Sequence, residues 1–313
     1  MRAYRSGGAA GPADIVPAVS ALALWPQAAI ARAAASAQSA FSAPELIAAA
    51  ALHTELANVI GDRVPGDVDF HIETASDLLL AARRRDPTRA DLVSRQWYVF
   101  VVGLYEALQR PQDAARLVHD GRQRHPRAAE LYVARATVIE ANVRRSVLDL
   151  RRDVPLEPRT RLRVEDAFKA VVSDCQSALG LDQTLPTAYL HIGWARLTMH
   201  DRRAADALNR AVEHADSDEL RYLAHLFLGG AYEQAHRLED ARREYASAVA
   251  IGPYQSAYVA LSRAEDALGH VDRAREVAAA ATHTAASDDD PWWDFRIGFD
   301  RAALHRLRAE AQR

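Results

Sequence analysis

The stretch LFLGGAYEQAHRLEDARREYASAVAIGP, residues 226–253, decides the fold. Small and apolar residues recur in it at helical spacing, namely Leu228, Gly229, Tyr232, Ala241, Tyr245 and Ala248. At 3.6 residues per turn, the leucine and first tyrosine share one face of a first helix, while the last three residues form one stripe on a second helix. Gly229 and Ala241 are small enough for two backbones to approach closely, and Pro253 ends the second helix or opens the next turn. The stretch predicts a helical hairpin held by packing.

This pattern resembles the tetratricopeptide repeat (TPR), with its Leu-Gly, Tyr, Ala, Tyr or Phe and Pro positions, although His225 stands where the family prefers Trp. A repeat of this kind recurs with a period near 34 residues. Ile192 and Leu261 lie 36 and 33 residues from the equivalent Leu228. These anchors predict three repeats in residues 186–286.

The offset of thirteen residues between Leu228 and Ala241 also relates Ile192 to Ala205. In that earlier repeat Gly193 takes the close-approach position, and Asn209 replaces the aromatic residue of the second helix.

The N-terminal half matches the repeat in fragments. Val102, Gly103 and Ala115 reproduce the small-residue relation, and residues 67–87 match a second helix that follows LIAAAALHTELANVIG. The two prolines of RRDVPLEPRTR predict an inserted loop near residues 151–161.

We predict five to seven hairpins, and the resemblance implies an all-α, right-handed α-solenoid of stacked TPR-like helical hairpins. The expected segments are a flexible start and opening hairpin (1–43), degenerate TPR-like hairpins with the inserted loop (44–185), three TPR repeats (186–286) and a C-terminal capping helix (287–313).

Composition limits the function. A chain of 313 residues with 49% hydrophobic residues can bury a large core. Its formal charge of -3 argues against a nucleic-acid partner, which normally requires a basic face. Cys175 is the single cysteine, so no internal disulfide forms and a small buried residue is expected. No apolar run reaches about 18 residues, so no membrane span is predicted.

The N-terminus permits two interpretations. Arg2 and Arg5 precede IVPAVSALALW, and small residues follow, as in a secretory signal. Arg32, however, lies between the apolar run and those small residues, where a signal peptide carries no charge. We therefore expect an opening hairpin and a cytoplasmic location, with export as the alternative.

Catalytic and metal-binding patterns are missing from the sequence. Each of two His-x-Glu pairs, at His53 and His71, has a spacing that points its two side chains apart on a helix. Zinc-binding helices, phosphate loops and a nucleophile elbow are absent. The run Asp288–Asp290 is expected to cap a helix that begins near Pro291. We predict no enzyme activity, no cofactor and no metal.

The family uses the first helix of each repeat to line a concave binding groove. The matching positions are Trp97, Phe100, Leu104, Leu190, Trp194, Leu197, Leu226, Gln234 and Arg263. Such an apolar lining favours a peptide or a helix of a protein partner. Alternatively, these side chains pack against a neighbouring helix or against the chain's own termini.

The segment DPWWDFRIGFDRAALHRLRAEAQR, with YRSG and ALHTE, is also similar to bacterial TPR proteins associated with von Willebrand factor A-like proteins. Two functions stay open at this point: a protein-interaction scaffold, or a regulatory sensor module that binds a small ligand or a regulatory partner.

Overall fold

The computed structural model describes residues 41–60, 65–144, 157–283 and 290–298. These residues form helices packed as sequential hairpins, which confirms the predicted all-α class for the described part of the chain. Its helices are α1 (Ala43–Ile60), α2 (Pro65–Arg85), α3 (Pro87–Ala107), α4 (Pro111–Arg124), α5 (Ala129–Val143), α6 (Pro158–Leu181), α7 (Pro186–Thr198), α8 (Ala204–His214), α9 (Asp218–Gln234), α10 (Leu238–Ile251), α11 (Gln255–Ala267), α12 (Val271–His283) and α13 (Pro291–Ile297).

Three of the expected features fall wholly or partly outside the described residues. These are the opening hairpin and the signal-like run before residue 41, most of the inserted loop, and the chain after residue 298. Helix α6 begins at Pro158, inside the range expected for the loop, because a proline at the first helical position loses no hydrogen bond.

The described residues divide into two compact units, one that ends at Trp97 and one that begins at Tyr98. In the first unit α1 packs on α2. The Trp97 indole is 1% exposed, and its Nε1–H donates to Thr54 Oγ1 at 3.0 Å. Between the same two helices, the Nδ1 atoms of His53 and His71 lie 2.8 Å apart, so one ring donates to the other.

In the second unit, successive hairpins pack through both of their helices. Contacts join α5 to α6, α7 to α8, α9 to α10 and α11 to α12, and each hairpin also contacts the next one. The first helices of these hairpins touch one another in the order α5, α7, α9 and α11. They therefore build one continuous face, which we call the first-helix face.

In four hairpins, a residue with left-handed backbone conformation follows the end of the first helix. These residues are Gln109, His200, His236 and Gly269. At each turn the same two hydrogen bonds form; at the third, the His236 N–H donates to Glu233 O at 3.0 Å and the Arg237 N–H donates to Tyr232 O at 2.9 Å. This is the Schellman pattern of helix termination. The last three turns are spaced by 36 and 33 residues, which is the spacing of the predicted anchors.

Glycines stand at the close approaches, as predicted, but the residues opposite them are large. A Cβ atom built on Gly229 would lie 2.4 Å from Tyr245 Cε1, and one built on Gly193 would lie 2.4 Å from Leu208 Cγ. The glycines therefore accommodate a side chain of the second helix. Ala241, the small residue expected at the close approach to Gly229, is not the nearest neighbour of that glycine; Tyr245 is.

In the hairpin of α7 and α8 the predicted register is wrong by one residue. Ala204 and Leu208 are buried, whereas the expected Ala205 is half-buried and Asn209 is exposed. Helix α8 begins at Ala204, so its buried stripe starts there, and Leu208 fills the space that an aromatic residue occupies in the following hairpin.

We expect Gly193→Ala to destabilise the second unit by about 1–3 kcal/mol, because the new methyl group overlaps Leu208 at the centre of a packed hairpin. Gly180→Ala is the matched control, since no heavy atom lies within 4 Å of a Cβ built there on helix α6. Alanine is favoured over glycine in a helix, so the control should gain up to about 1 kcal/mol. Urea unfolding followed by circular dichroism measures both, and changes of the same sign would contradict the packing.

Candidate functional site

Helix α13 lies on the first-helix face of the second unit. Its Trp292 ring has its centroid 5.4 Å from that of Trp194 on α7 and 5.6 Å from that of Phe227 on α9. Phe295, one turn later, lies 5.8 Å and 5.0 Å from the same two rings. Two aromatic residues three positions apart thus pack one side of α13 against α7 and α9.

A buried ion pair lies beside these rings. Glu140 of α5 is fully buried, and its Oε2 accepts from Arg144 Nη2 at 3.2 Å and lies 3.1 Å from His191 Nδ1. The Phe295 ring stacks on His191 at 5.0 Å, and the guanidinium of Arg144 lies 5.2 Å from the centre of that ring. Phe295 therefore contacts both side chains that lie against the Glu140 carboxylate, with cation–π attraction from Arg144.

We call the surface made by Glu140, Arg144, His191, Trp194 and Phe227, on which α13 packs, the Trp194 site. Three consecutive hairpins contribute to it, through α5 with the residue that follows it, α7 and α9. The arrangement offers aromatic surface and a buried cation to an aromatic side chain.

The start of α13 is fixed by one carboxylate. Asp290 is 2% exposed and caps α13, as predicted, because its Oδ1 accepts from the Trp292 N–H at 3.0 Å. The same Oδ1 accepts from the Tyr222 hydroxyl at 3.1 Å, and Oδ2 accepts from the Ser256 N–H at 3.1 Å. Burial raises the pKa of Tyr222, and the neighbouring Asp290 carboxylate raises it further.

The end of α13 is also fitted closely. Gly298 closes the helix in the left-handed conformation, with φ of 79°. A Cβ atom built there would lie 3.1 Å from Thr137 Cγ2 and 3.5 Å from Ala141 Cβ on α5. Both the backbone angle and the close approach therefore favour glycine at this position.

Trp194 is only partly exposed, and the described residues offer its polar atom no partner. The indole Nε1 is buried, and none of the described residues provides it with a hydrogen-bond acceptor. An N–H that loses water without gaining an acceptor costs about 1–3 kcal/mol. The Trp194 side chain thus contributes a buried donor that the described residues leave without an acceptor.

The nine residues predicted to line a groove differ in exposure. Five are buried and belong to the packed interior: Trp97, Phe100, Leu104, Leu190 and Leu197. Leu226 is half-buried, and the Gln234 side chain donates from Nε2 to Leu197 O at 3.2 Å. Arg263 is exposed and forms a bidentate ion pair with Glu233. Only Trp194 contacts α13 through its ring, and the role of the nine residues in partner binding stays a prediction.

Sequence reasoning missed the residues that complete the Trp194 site, including Glu140, Arg144 and His191. The spacing of Trp292 and Phe295 was the available signal, because aromatic residues three apart share a helix face. Their contact with Trp194 corresponds to the alternative in which the predicted groove residues pack against a terminal segment of the chain.

No protein-family model and no curated protein sequence matches the chain. Among solved structures it is similar to a tetratricopeptide repeat protein from Parabacteroides merdae, with 13% identity, a TM-score of 0.46, and coverage of 83% of this chain and 98% of the other. It is also similar to a thermophilic TPR protein of Thermus thermophilus, with 17% identity, a TM-score of 0.40, and coverage of 74% of this chain and 99% of the other. For MamA the identity is 18% and the TM-score 0.43, with coverage of 57% of this chain and 90% of the other. The resemblance to proteins associated with von Willebrand factor A-like proteins stays a prediction.

None of the helices in the described residues is long and apolar enough to cross a membrane. The same residues contain no group of three or more His, Cys, Asp or Glu side chains placed to hold a metal ion. Cys175 is buried, as predicted, and its burial raises the pKa of the thiol well above the ordinary value.

Proposed function

We propose that the protein is a non-catalytic interaction scaffold whose first-helix face holds a peptide segment of a protein partner at the Trp194 site. The observation that carries this proposal is the docking of Asp290–Gly298 there, since it supplies an example of a short helical segment bound to the face. This segment belongs to the same chain, and we infer that a segment of another protein with similar aromatic residues binds the Trp194 site in the same way.

The chemistry of the site supports peptide binding. Trp, Tyr and Arg side chains contribute most of the binding energy at protein interfaces, and the site contains Trp194 and Arg144. An amphipathic helix that places residues three or four apart into an apolar groove is a common mode of peptide recognition. Helix α13 uses this mode with Trp292 and Phe295.

The test uses the full-length Phe295→Ala variant, in which the chain's own segment loses its central anchor. The probe is a labelled peptide with the sequence of residues 287–298, and binding is measured by fluorescence anisotropy. We expect the variant to bind the peptide. Adding Trp194→Ala should weaken binding about tenfold or more, because the indole supplies the aromatic floor of the site.

Tyr189→Ala in the same background is the control. Tyr189 lies on α7 with Trp194, but its ring stacks on His214 of α8 at 5.6 Å and does not form the site. It should leave peptide affinity within about twofold. Equal losses from Trp194→Ala and Tyr189→Ala, or no binding to any form, would count against the scaffold function. Thermal unfolding of each variant shows whether a loss of binding reflects a loss of folding.

A further inference from the structure

The docked segment fits the Trp194 site incompletely. Its aromatic rings cover Trp194, yet within the described residues the buried indole Nε1–H meets no acceptor. A polar group that is desolvated without a partner lowers the net affinity of whatever covers it. A segment that brought an acceptor to this N–H would therefore bind more tightly than Asp290–Gly298.

The segment is also weakly structured by itself. Helix α13 contains seven residues, and isolated helices shorter than about 12–15 residues are marginal in water. Its helical form therefore depends on docking. Trp293 remains 42% exposed in the docked state, so part of the segment's large apolar surface gains nothing from the fold.

Four positions of the segment carry its recognition. They are Asp290 as the acidic cap, Trp292 and Phe295 as the two aromatic anchors, and Gly298 where the chain passes close to α5. Trp292 and Phe295 are three residues apart and face the site together, and Gly298 follows Phe295 by three residues. This pattern defines the chemistry of a competing segment.

Resting on the proposed function, we propose that Asp290–Gly298 is a resident occupant that closes the Trp194 site, and that the partner displaces it. The partner segment carries an acidic cap and two aromatic residues three positions apart. In addition it places a hydrogen-bond acceptor, such as a side-chain carboxamide, against Trp194 Nε1. A partner segment displaces Asp290–Gly298 only if it binds the Trp194 site more tightly. A hydrogen bond to the indole N–H provides that additional affinity, so the site discriminates against segments that lack the acceptor.

Closure is tested with full-length proteins and the peptide of residues 287–298. Wild-type protein should bind the labelled peptide at least tenfold more weakly than the Phe295→Ala variant, because the free peptide must first displace the resident segment. Gly298→Val is a second way to open the site, since it forces a β-branched residue into φ of 79° and leaves both aromatic anchors in place. It should raise peptide affinity in the same direction.

The results separate closure from the scaffold function. Peptide binding that is equally tight in wild type, Phe295→Ala and Gly298→Val would overturn closure while leaving the proposed function standing. Absence of binding to all three, with each shown to be folded by circular dichroism, would overturn both.

The acceptor is tested with a set of peptides in which glutamine replaces residues 293, 294, 296 and 297 one at a time. Against the Phe295→Ala protein, at least one peptide should bind fivefold or more tightly than the parent, by completing a hydrogen bond to Trp194. The gain should vanish when the protein also carries Trp194→Phe, which retains an aromatic ring and lacks the N–H. A set without any such gain, or a gain that persists with phenylalanine, would overturn this part of the proposal.

Discussion

Replacing Arg144 by methionine is expected to lower the free energy of unfolding of the second unit by about 3–5 kcal/mol. Arg144 and Glu140 are both buried, and the guanidinium donates to the carboxylate at 3.2 Å. Removing the cation leaves a fully buried carboxylate with His191 as its remaining neighbour among the described contacts. An uncompensated charge in this position is far more costly than the lost bond alone.

The double variant Glu140→Leu with Arg144→Met is the control, because it removes both charges and retains side chains of similar size. Replacing a whole buried ion pair by apolar residues is often neutral, so this variant should recover most of the lost stability. Urea unfolding of wild type, both single variants and the double variant completes the cycle. A loss below about 1 kcal/mol for Arg144→Met would mean that water screens the pair, against its burial in the structure.

Acidification from pH 7.5 to pH 4.5 is expected to destabilise the first unit by about 2 kcal/mol, within an upper limit of about 3 kcal/mol. Burial, together with the neighbouring His71, lowers the pKa of His53 from 6.5 to about 4. Below pH 6.5 the unfolded chain therefore binds a proton that the folded unit excludes. The stabilising contribution is complete above about pH 6.5 and disappears as the pH falls towards 4.

Hydrogen exchange in α1 and α2 at the two pH values, corrected for the intrinsic rates, measures this change. His53→Asn provides the comparison, because an asparagine keeps a hydrogen-bonding group near the Nδ1 position and does not titrate in this range. Its protection should depend less on pH. A pH dependence as steep in His53→Asn as in wild type would assign the effect to other groups.

The sequence was sufficient to predict local hairpins, and insufficient for contacts between distant segments. The pattern around Gly229 and Tyr245 located α9 and α10, because helix period and small residues report on packing between neighbours. The register at Ala204 escaped prediction because the length of a turn depends on backbone angles that no residue type there dictates.

The two groups of buried polar residues escaped prediction for another reason. Glu140 and Arg144 are four residues apart, which in sequence is indistinguishable from a surface pair on a helix. His53 pairs with His71 across two helices, whereas in the sequence each histidine stands out only through the glutamate two residues after it. The docking of Trp292 beside Trp194 joins residues almost a hundred positions apart and depends on the folded arrangement of the first helices.

The Asp290 carboxylate has a consequence for the last hairpin. Its Oδ1 serves α13 through the Trp292 N–H, while its Oδ2 accepts from Ser256 in the first turn of α11. Departure of α13 therefore withdraws an acceptor from that turn, and the stability of the start of α11 becomes linked to occupancy of the Trp194 site. Thermodynamic linkage is reciprocal. A molecule that orders the start of α11 around Asp290 would therefore strengthen docking of α13 by the same coupling free energy with which docking strengthens binding of that molecule. The start of α11 would then regulate access to the Trp194 site from a distance.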